Sequence, residues 1–242
     1  MKRIILAGGK GTRISEYTKT IPKPMIKIGN RPIFLHIINH YVKFGFDDFY
    51  IALGYKKNII INYFKNFKKI DRPFVYKINN KKIKITLSYT GENTLTGGRI
   101  KRMKKFINKD EDFMFTYGDG VSNIDIKKLY SFHKKNNKLI TVTAVRPPAR
   151  FGEITINNNR VITFKEKPQV SEGWINGGFF VAKYDFFKLI KDNRTILEKE
   201  PLEKATKIKQ LYAFKHNGFW KCMDTYRDKI VLEKTFKETK FN

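Results

Sequence analysis

The chain opens with a short apolar run that breaks abruptly at a cluster of glycines. Residues 1–7 (MKRIILA) are too few for a core helix and are typical of a buried strand. The following Gly8-Gly9-Lys10-Gly11-Thr12-Arg13 lets backbone N–H groups approach an anion, because glycine has no Cβ. Pro22-Lys23-Pro24 then holds a lysine in a stiff segment, since each proline fixes φ near about −65°. These residues predict an anion-binding loop supplied with the fixed charges of Arg13 and Lys23.

Two common phosphate-binding loops do not fit this segment. A dinucleotide-binding loop needs a third glycine where Ile14 stands, and a Walker loop needs Gly-Lys-Ser/Thr after four intervening residues. A glycine-rich turn that merely ends the first strand is the simpler alternative. It leaves Arg13 and Lys23 unexplained.

Length and composition indicate one domain. The 242 residues are 41% hydrophobic and 14% aromatic, enough for a packed α/β core, and no linker-like segment divides residues 1–242. Cys222 is the single cysteine, and no signal-peptide pattern or run of transmembrane length is present. We expect a soluble cytoplasmic protein that has no membrane partner.

The net charge is strongly positive and raises the question of nucleic-acid binding. It is +28, from 50 Lys and Arg against 22 Asp and Glu. The lysines are dispersed over every predicted element, and no recognisable nucleic-acid-binding module accompanies them. We expect no nucleic-acid partner, whereas a positive field would attract nucleotides and sugar phosphates.

Strand-like and helix-like segments alternate along the chain. Such alternation predicts β-α units and a largely parallel sheet that is covered on both faces. The predicted strands after the first are residues 49–53, 83–89, 113–117 and 139–144. The predicted helices are residues 31–45, 55–67, a basic stretch running to 107, and 125–135.

Two aspartates lie just beyond apolar runs. Asp119 stands between glycines after the strand at 113–117, where ligands bind in open α/β sheets. Asp224 precedes a capping-box pattern, Thr225-Tyr226-Arg227-Asp228, that predicts the start of a terminal helix. A turn-capping residue and a helix N-terminal charge are the simpler alternatives.

Two later segments are candidates for a sugar phosphate. Residues 153–156 and 161–165 predict a β-hairpin that ends in Glu166-Lys167-Pro168, where the lysine suits a phosphate and the carboxylate suits sugar hydroxyls. A solvated surface pair is an equally good interpretation. Asn176, Gly177 and Gly178 interrupt a strand-like run, which indicates that a ligand or a neighbouring backbone approaches there.

Taken together, these motifs resemble the sugar-1-phosphate nucleotidylyltransferase family nearly from end to end. The ending Phe219-Trp220 with Met223-Asp224-Thr225 and the run Asn176 to Phe180 resemble the branch that transfers a cytidylyl group. The other matching motifs are Gly8 to Arg13, Pro22-Lys23-Pro24, Thr96-Gly97-Gly98-Arg99, Tyr117-Gly118-Asp119-Gly120, Arg150-Phe151-Gly152 and Glu166-Lys167-Pro168.

The resemblance implies a fold and a reaction. The fold is α/β, Rossmann-like, with a mixed, mostly parallel central sheet flanked by helices. The reaction is transfer of CMP from CTP to α-D-glucose 1-phosphate with Mg²⁺. The alternatives are another NTP or sugar 1-phosphate, or a non-catalytic sugar-nucleotide or nucleic-acid-binding protein. The retained charged residues argue against a non-catalytic sensor.

The resemblance also implies roles for single residues. Arg13 would hold the leaving pyrophosphate, Lys23 would neutralise charge near the α-phosphate, and Asp119 and Asp224 would both be catalytic and bind one Mg²⁺. Two ligands of one ion have to lie within about 8 Å of each other. The nucleotide-binding residues would be Leu6, Ala7, Gly8, Gly9, Lys10, Gly11, Thr12, Arg13, Lys23, Thr94, Arg99 and Gly118. The sugar-phosphate-binding residues would be Gly152, Glu166, Lys167, Asn176, Gly177 and Trp220.

Assembly is the last property that the resemblance implies. Family members lead us to expect a homo-oligomer. Residues 68–84 form a shorter segment than is usual in the family at a region near subunit contacts. The number of subunits therefore stays open.

Overall fold

The apolar run at the start of the chain is a central strand of an eight-stranded sheet. The computed structural model describes residues 1–65, 70–147, 153–157, 159–165 and 173–238. These residues contain fourteen strands: β1 (Lys2–Ala7), β2 (Lys27–Ile28), β3 (Arg31–Pro32), β4 (Asp48–Leu53), β5 (Pro73–Ile78), β6 (Lys81–Tyr89), β7 (Phe113–Tyr117), β8 (Gly120–Ser122), β9 (Ile140–Val145), β10 (Glu153–Asn157), β11 (Arg160–Lys165), β12 (Ile175–Ala182), β13 (Leu211–His216) and β14 (Trp220–Cys222).

Helices connect most of these strands. Seven α-helices lie in the described part of the chain: α1 (Ser15–Thr18), α2 (Ile33–Lys43), α3 (Lys57–Tyr63), α4 (Thr96–Arg102), α5 (Ile126–Asn136), α6 (Glu200–Lys207) and α7 (Tyr226–Glu238). Four 3-10 helices accompany them: Thr12–Ile14, Lys23–Met25, Met103–Phe106 and Tyr184–Leu189. None of the described helices is both long and apolar enough to cross a bilayer.

The large sheet is mixed and mostly parallel. Its strand order is β13-β9-β12-β7-β1-β4-β6-β5. β1 pairs in parallel with β4 and β7, β4 with β6, and β9 with β13. β12 runs antiparallel to both β7 and β9, and β5 antiparallel to β6. Six strands therefore share one direction, and the carboxyl ends of β1 and β7 meet at one edge.

Alternating side chains of β1 enter two separate apolar layers. Ile5 belongs to the buried cluster that includes the apolar face of α2, and Ile4 belongs to the cluster that includes Phe115 and Phe180. Successive residues of a strand point to opposite faces, so a short run can hold both layers. Phe115 and Phe180 stack with ring centroids 4.5 Å apart. Burying such a ring stabilises the fold by roughly 1.5–3 kcal/mol.

Several sequence predictions are confirmed by these elements. The strand at residues 113–117 has the predicted bounds, and β10 and β11 form the predicted hairpin. Asp125 caps α5 by accepting a hydrogen bond from the Lys128 N–H. The predicted capping box opens α7, where Asp228 accepts from the Thr225 N–H at 2.9 Å and the Asp228 N–H donates to the Thr225 hydroxyl at 3.2 Å.

Other predictions of element bounds are wrong. The helix predicted from residue 31 begins at Ile33, because Arg31–Pro32 is a strand paired with β2. The helix predicted over 55–67 spans only Lys57–Tyr63, since Lys56 has a φ of 51° and stands before the first turn.

The strand β5 was not predicted from the sequence. It lies in a basic segment without a clear pattern and pairs antiparallel with β6. The connection is Asn79-Asn80, with φ of 44° and 64°. Asparagine tolerates positive φ, and two such residues in succession are typical of the tight turn of a β-hairpin.

Candidate active site

A cleft opens at the carboxyl ends of β1 and β7. Its volume is about 560 Å³, within the size range of small-molecule sites. Most of the site residues expected from the sequence lie around it. They are Leu6, Gly8, Gly9, Gly11, Arg13, Lys23, Thr94, Arg99, Gly118, Asp119, Asn176, Trp220 and Asp224.

Some expected residues lie elsewhere. The side chain of Ala7 is buried in the apolar layer with Ile5, so it does not line the cleft. Lys10 and Thr12 are exposed and also lie outside the lining. Gly177 is buried, and its carbonyl accepts a hydrogen bond from the Trp220 indole N–H at 2.7 Å. The contacts of these residues with a nucleotide or sugar stay predictions.

Three expected residues of the sugar-phosphate group, Gly152, Glu166 and Lys167, lie outside the described residues. Their roles stay predictions as well.

The backbone conformation and the close packing after β1 explain why glycines stand there. Gly11 has a φ of 65°, and its carbonyl accepts a hydrogen bond from the Thr18 hydroxyl at 3.0 Å. A Cβ on Gly8 would lie 2.2 Å from a guanidinium nitrogen of Arg99. The first loop is therefore shaped by what packs beneath it as well as by what it binds.

Arg99 ties the first loop to the turn after β6. Its side chain is buried, and burial lowers its pKa to about 10, so it stays charged at neutral pH. Its terminal nitrogens donate to five oxygens, namely the carbonyls of Gly8, Leu53, Gly91 and Glu92 and the hydroxyl of Thr90. Those donors hold the cleft wall together. A direct contact between Arg99 and a nucleotide remains a prediction.

Asp119 and Asp224 are brought together by the pairing of β8 with β14. Gly120 is opposite Cys222 in this short ladder, and the Met223 N–H donates to the Asp119 carbonyl at 3.0 Å. One carboxylate oxygen of each aspartate and the Cys222 sulfur all lie within 4.8 Å of one another. The two carboxylates thus lie well inside the 8 Å limit set above.

Lys23 stands between these carboxylates. Its Nζ is 2.6 Å from Asp119 Oδ2 and 2.6 Å from Asp224 Oδ1. Burial lowers its pKa, but the attraction of Asp119 and hydrogen bonds to both carboxylates outweigh this, so the net shift of the pKa is upward. Lys23 is only 7% exposed, so the stiff Pro22-Lys23-Pro24 segment holds it as a buried lysine. Its ammonium is a permanent charge within the site.

Arg13 makes a weaker contribution to the same cluster. Its Nη1 lies 2.6 Å from Asp224 Oδ2, yet its side chain is 76% exposed. Exposed ion pairs contribute little stability, since solvent screens them. Arg13 can therefore leave Asp224 for an incoming anion at small cost.

The donor set at this point fits a hard divalent cation. Two carboxylates converge on one wall of the cleft, and Mg²⁺ is commonly held by one or two carboxylates together with water and phosphate oxygens. Burial raises the pKa of the Cys222 thiol, and the charge of Asp119 adds to this, so the sulfur is neutral. Asp119 and Asp224 are the residues that could hold the ion.

Another part of the cleft lining is shaped by an irregular strand. The register between β12 and β9 shifts between Asn176 and Phe180, where Gly178 has a φ of 83° and Phe179 a φ of 24°. Such a bulge re-aims side chains, and here Asn176 lines the cleft. A Cβ on Gly177 would lie 2.7 Å from Val145 Cγ1, so a neighbouring strand does approach the glycines.

Several lining residues have no role that was expected from the sequence. They include Pro24, Leu95, Thr96, Tyr117, Ile175 and Glu198. Tyr117 ends the strand that carries Asp119, and that position was a usable signal. Glu198 lies just before α6 in a segment without a recognisable motif, so only the structure reveals it.

Comparisons with known proteins agree with this geometry. Residues 2–226 match the family model described as nucleotidyl transferase. The chain is 44% identical over 250 residues to glucose-1-phosphate cytidylyltransferase of Salmonella typhimurium, covering 99% of this chain and 97% of that protein. It is 33% identical to mannose-1-phosphate guanyltransferase of Saccharomyces cerevisiae, covering 97% of this chain and 64% of that protein.

The fold is shared with more distant enzymes. The crystal structure of a UDP-glucose pyrophosphorylase complexed with UDP-glucose superposes with a TM-score of 0.71 at 18% identity, covering 98% of both chains. The Rossmann-like fold class and the family resemblance expected from the sequence are thereby confirmed. This chain belongs to the nucleotidyl transferase family.

Proposed function

We propose that this enzyme transfers the cytidylyl group of CTP to α-D-glucose 1-phosphate and releases CDP-glucose and pyrophosphate. The observation that carries the proposal is the convergence of Lys23, Asp119 and Asp224 in one cleft, with Arg13 at its edge. The choice of base and sugar is supported by the 44% identity to a glucose-1-phosphate cytidylyltransferase.

The chemistry needs no protein nucleophile. A phosphate oxygen of the sugar phosphate is already anionic and attacks the α-phosphorus of CTP. The bond from that phosphorus to the bridging oxygen breaks, and pyrophosphate leaves with the bonding electrons. Catalysis then rests on positioning and on neutralising charge. Lys23 would serve the α-phosphate, and Arg13 would serve the leaving pyrophosphate.

Charge balance supports a role for a divalent cation. Among the described lining residues, three cations (Arg13, Lys23, Arg99) face three carboxylates (Asp119, Glu198, Asp224), so the lining has no net charge. CTP brings roughly four negative charges, which two facing carboxylates would repel. Asp119 and Asp224 would hold Mg²⁺, which when bound supplies the missing positive charge.

The sugar side of the proposal rests partly on the resemblance. Asn176 lines the cleft, and Trp220 fixes the neighbouring backbone through the Gly177 carbonyl. Glu166 and Lys167 would contact the sugar and its phosphate, with Gly152 nearby. The same resemblance supports one domain over residues 1–242 and a homo-oligomer, and the single cysteine favours a cytoplasmic location.

A substrate panel tests the proposal. The protein is incubated with Mg²⁺, each NTP in turn and several sugar 1-phosphates, and pyrophosphate release is followed. We expect CTP with glucose 1-phosphate to give the highest kcat/KM. A clear preference for GTP or TTP, or for mannose 1-phosphate, would contradict the proposed substrates while leaving the transferase chemistry intact.

A further inference from the structure

A series of hydrogen bonds links side chains that line the cleft and ends on Asn176. The Tyr117 hydroxyl donates to Glu198 Oε1 at 2.5 Å and accepts from Asn176 Nδ2 at 3.2 Å. Glu198 Oε2 accepts from the Thr96 hydroxyl at 2.8 Å. Glu198 thus joins the wall that carries Thr96 to the wall that carries Asn176.

The donor and the acceptor of each of these hydrogen bonds are fixed. The Gly178 N–H can only donate, so Asn176 Oδ1 accepts it at 2.9 Å and Asn176 Nδ2 faces Tyr117. A carboxylate can only accept, so the Tyr117 proton points to Glu198 and its oxygen lone pair points to Asn176. Burial raises the pKa of the Tyr117 hydroxyl, with the charge of Glu198 adding to the shift, so the hydroxyl keeps its proton.

Glu198 stands on a firmly held segment. The N–H groups of Leu95 and Gly97 donate to the carbonyls of Asn193 and Thr195 at 2.9 and 3.0 Å. A Cβ on Gly98 would lie 2.5 Å from the Asn193 carbonyl oxygen. Residues 193–195 therefore dock closely on the start of α4, and these backbone contacts hold the segment that leads to Glu198.

We infer that Glu198 is a positioning residue for the sugar subsite, because through Tyr117 it sets the direction in which the Asn176 amide offers its remaining N–H to a hydroxyl of the sugar 1-phosphate. Only one of the two Nδ2 hydrogens is used by Tyr117. Asn176 lines the cleft, so the other can serve a ligand. Without the Glu198 charge the Tyr117 hydroxyl is free to rotate, and the Asn176 amide is then held only at its oxygen, by the Gly178 N–H. This inference rests on the proposed function.

Kinetics of conservative variants test the inference. Glu198→Gln keeps the size of the side chain, removes its charge and replaces one acceptor oxygen with a donor, so the Tyr117 proton is no longer directed by a carboxylate. Tyr117→Phe removes the link. Each is expected to raise KM for the sugar 1-phosphate about 10-fold, the effect of one lost hydrogen bond in the site, and to leave KM for the nucleotide within about 2-fold. The double variant is expected to be no worse than either single variant, since both break one series of hydrogen bonds.

The matched control is Glu200→Gln. Glu200 lies two residues further on, pairs with Lys204 at 2.7 Å and does not line the cleft, so both KM values are expected to stay unchanged. Melting temperatures of all variants identify any loss of folding. If Glu198→Gln does not fold, Tyr117→Phe carries the test.

Several outcomes would overturn the inference. They are an unchanged sugar KM in Glu198→Gln, equal increases in both KM values as expected for a merely structural link, or an effect of Glu198→Gln that Tyr117→Phe does not share. The assay uses whichever substrate pair the wild type turns over fastest, so a wrong base or sugar affects only the proposed function. If no pair is turned over, the proposed function falls, and calorimetric binding of glucose 1-phosphate to the wild type and the variants decides the inference: absent or equal binding overturns it.

Discussion

Lys23 neutralises the two carboxylates of the site in the absence of substrate. Asp119 and Asp224 are half-buried with carboxylate oxygens within 4.8 Å of each other, so they repel, and the ammonium between them offsets that repulsion. The stiff Pro22-Lys23-Pro24 segment was foreseen from the sequence. Its burial was not, because nothing local shows that Asp119 and Asp224 come to lie against it. The long-range partner determines whether a loop lysine is exposed.

Substitution of the two aspartates tests their shared role. Asp119→Asn and Asp224→Asn keep the size of each side chain and remove one carboxylate charge. Each is expected to lower kcat/KM by at least about 100-fold, since the loss of a single well-placed electrostatic group costs this much in other enzymes. The double variant is expected to be little worse than either, because both changes remove one site.

Asp185→Asn is the control for this pair of variants. Asp185 is an exposed aspartate that pairs with Lys188 at 3.0 Å outside the cleft, so activity is expected to stay at the wild-type level. Additive losses in the double variant would show that the two aspartates act separately.

At the scale of elements, the local sequence predicted strands and helices correctly where the hydrophobic pattern and the residues that start or stop an element agreed. β7 is a continuous apolar run that stops at a glycine, and α5 has a capping aspartate in front of an apolar face. β5 was not predicted because an exposed lysine and a valine that is 58% exposed obscure its alternation. An edge strand has one neighbour, so its sequence is only partly constrained by burial.

Gly97 and Gly98 are a second case in which an element explains a motif. The sequence suggested a nucleotide wall for this turn, and Leu95 and Thr96 do line the cleft. The two glycines, however, make room for residues 193–195, whose backbone lies where side chains would stand. The requirement for glycine comes from a segment about one hundred residues away, which no local pattern can show.

Replacement of Gly98 tests this packing argument. A Cβ there would lie 2.5 Å from the Asn193 carbonyl oxygen, and backbone cannot move aside cheaply. Gly98→Ala is expected to lower the free energy of unfolding by about 1–3 kcal/mol, as overpacking does, and to raise KM because the segment carrying Glu198 shifts. Urea titration measures the first effect and steady-state kinetics the second.

Gly9→Ala is the matched control for stability alone. Its Cβ would have no neighbour within 4 Å, so the unfolding midpoint is expected to stay close to that of the wild type. Equal midpoints for the Gly98 and Gly9 variants would contradict a packing role for Gly98.

At the scale of the whole molecule, the sequence indicates the sheet better than the site. Alternating strands and helices predict a largely parallel sheet, and ligands bind at the carboxyl ends of its strands. The meeting of Asp119 with Asp224 depends on β8 pairing with β14, whose residues are about one hundred positions apart. The local sequence does not show that two such distant segments pair. The expectation that Asp119 and Asp224 meet came from the family resemblance. Glu198 belongs to no motif and was therefore missed.

A half-buried and a fully buried histidine make the stability of the whole fold depend on pH. The His40 Nε2–H donates to the Ile124 carbonyl at 2.7 Å, and His133 is fully buried with Nδ1 2.8 Å from the Thr141 hydroxyl. Burial lowers the pKa of each to about 4, from an ordinary value of 6.5. For His133 the nearby Asp112 opposes this shift without reversing it.

The sign of the effect follows from these pKa values. Both groups are neutral in the folded protein at a pH where the unfolded chain already binds protons. Stability is therefore fully present above about pH 6.5 and is lost as the pH falls through the interval down to about 4. Between pH 7 and pH 5 each histidine is expected to cost about 2 kcal/mol of the free energy of unfolding.

Urea unfolding of the wild type and of His40→Gln at pH 7 and pH 5 measures this contribution. Glutamine can still donate to the Ile124 carbonyl but does not titrate, so the variant is expected to lose about 2 kcal/mol less than the wild type over the same interval. All other titrating groups are common to both proteins and cancel in the comparison. Equal losses in the two proteins would mean that His40 is protonated in the folded state at pH 5, and that its burial does not lower its pKa.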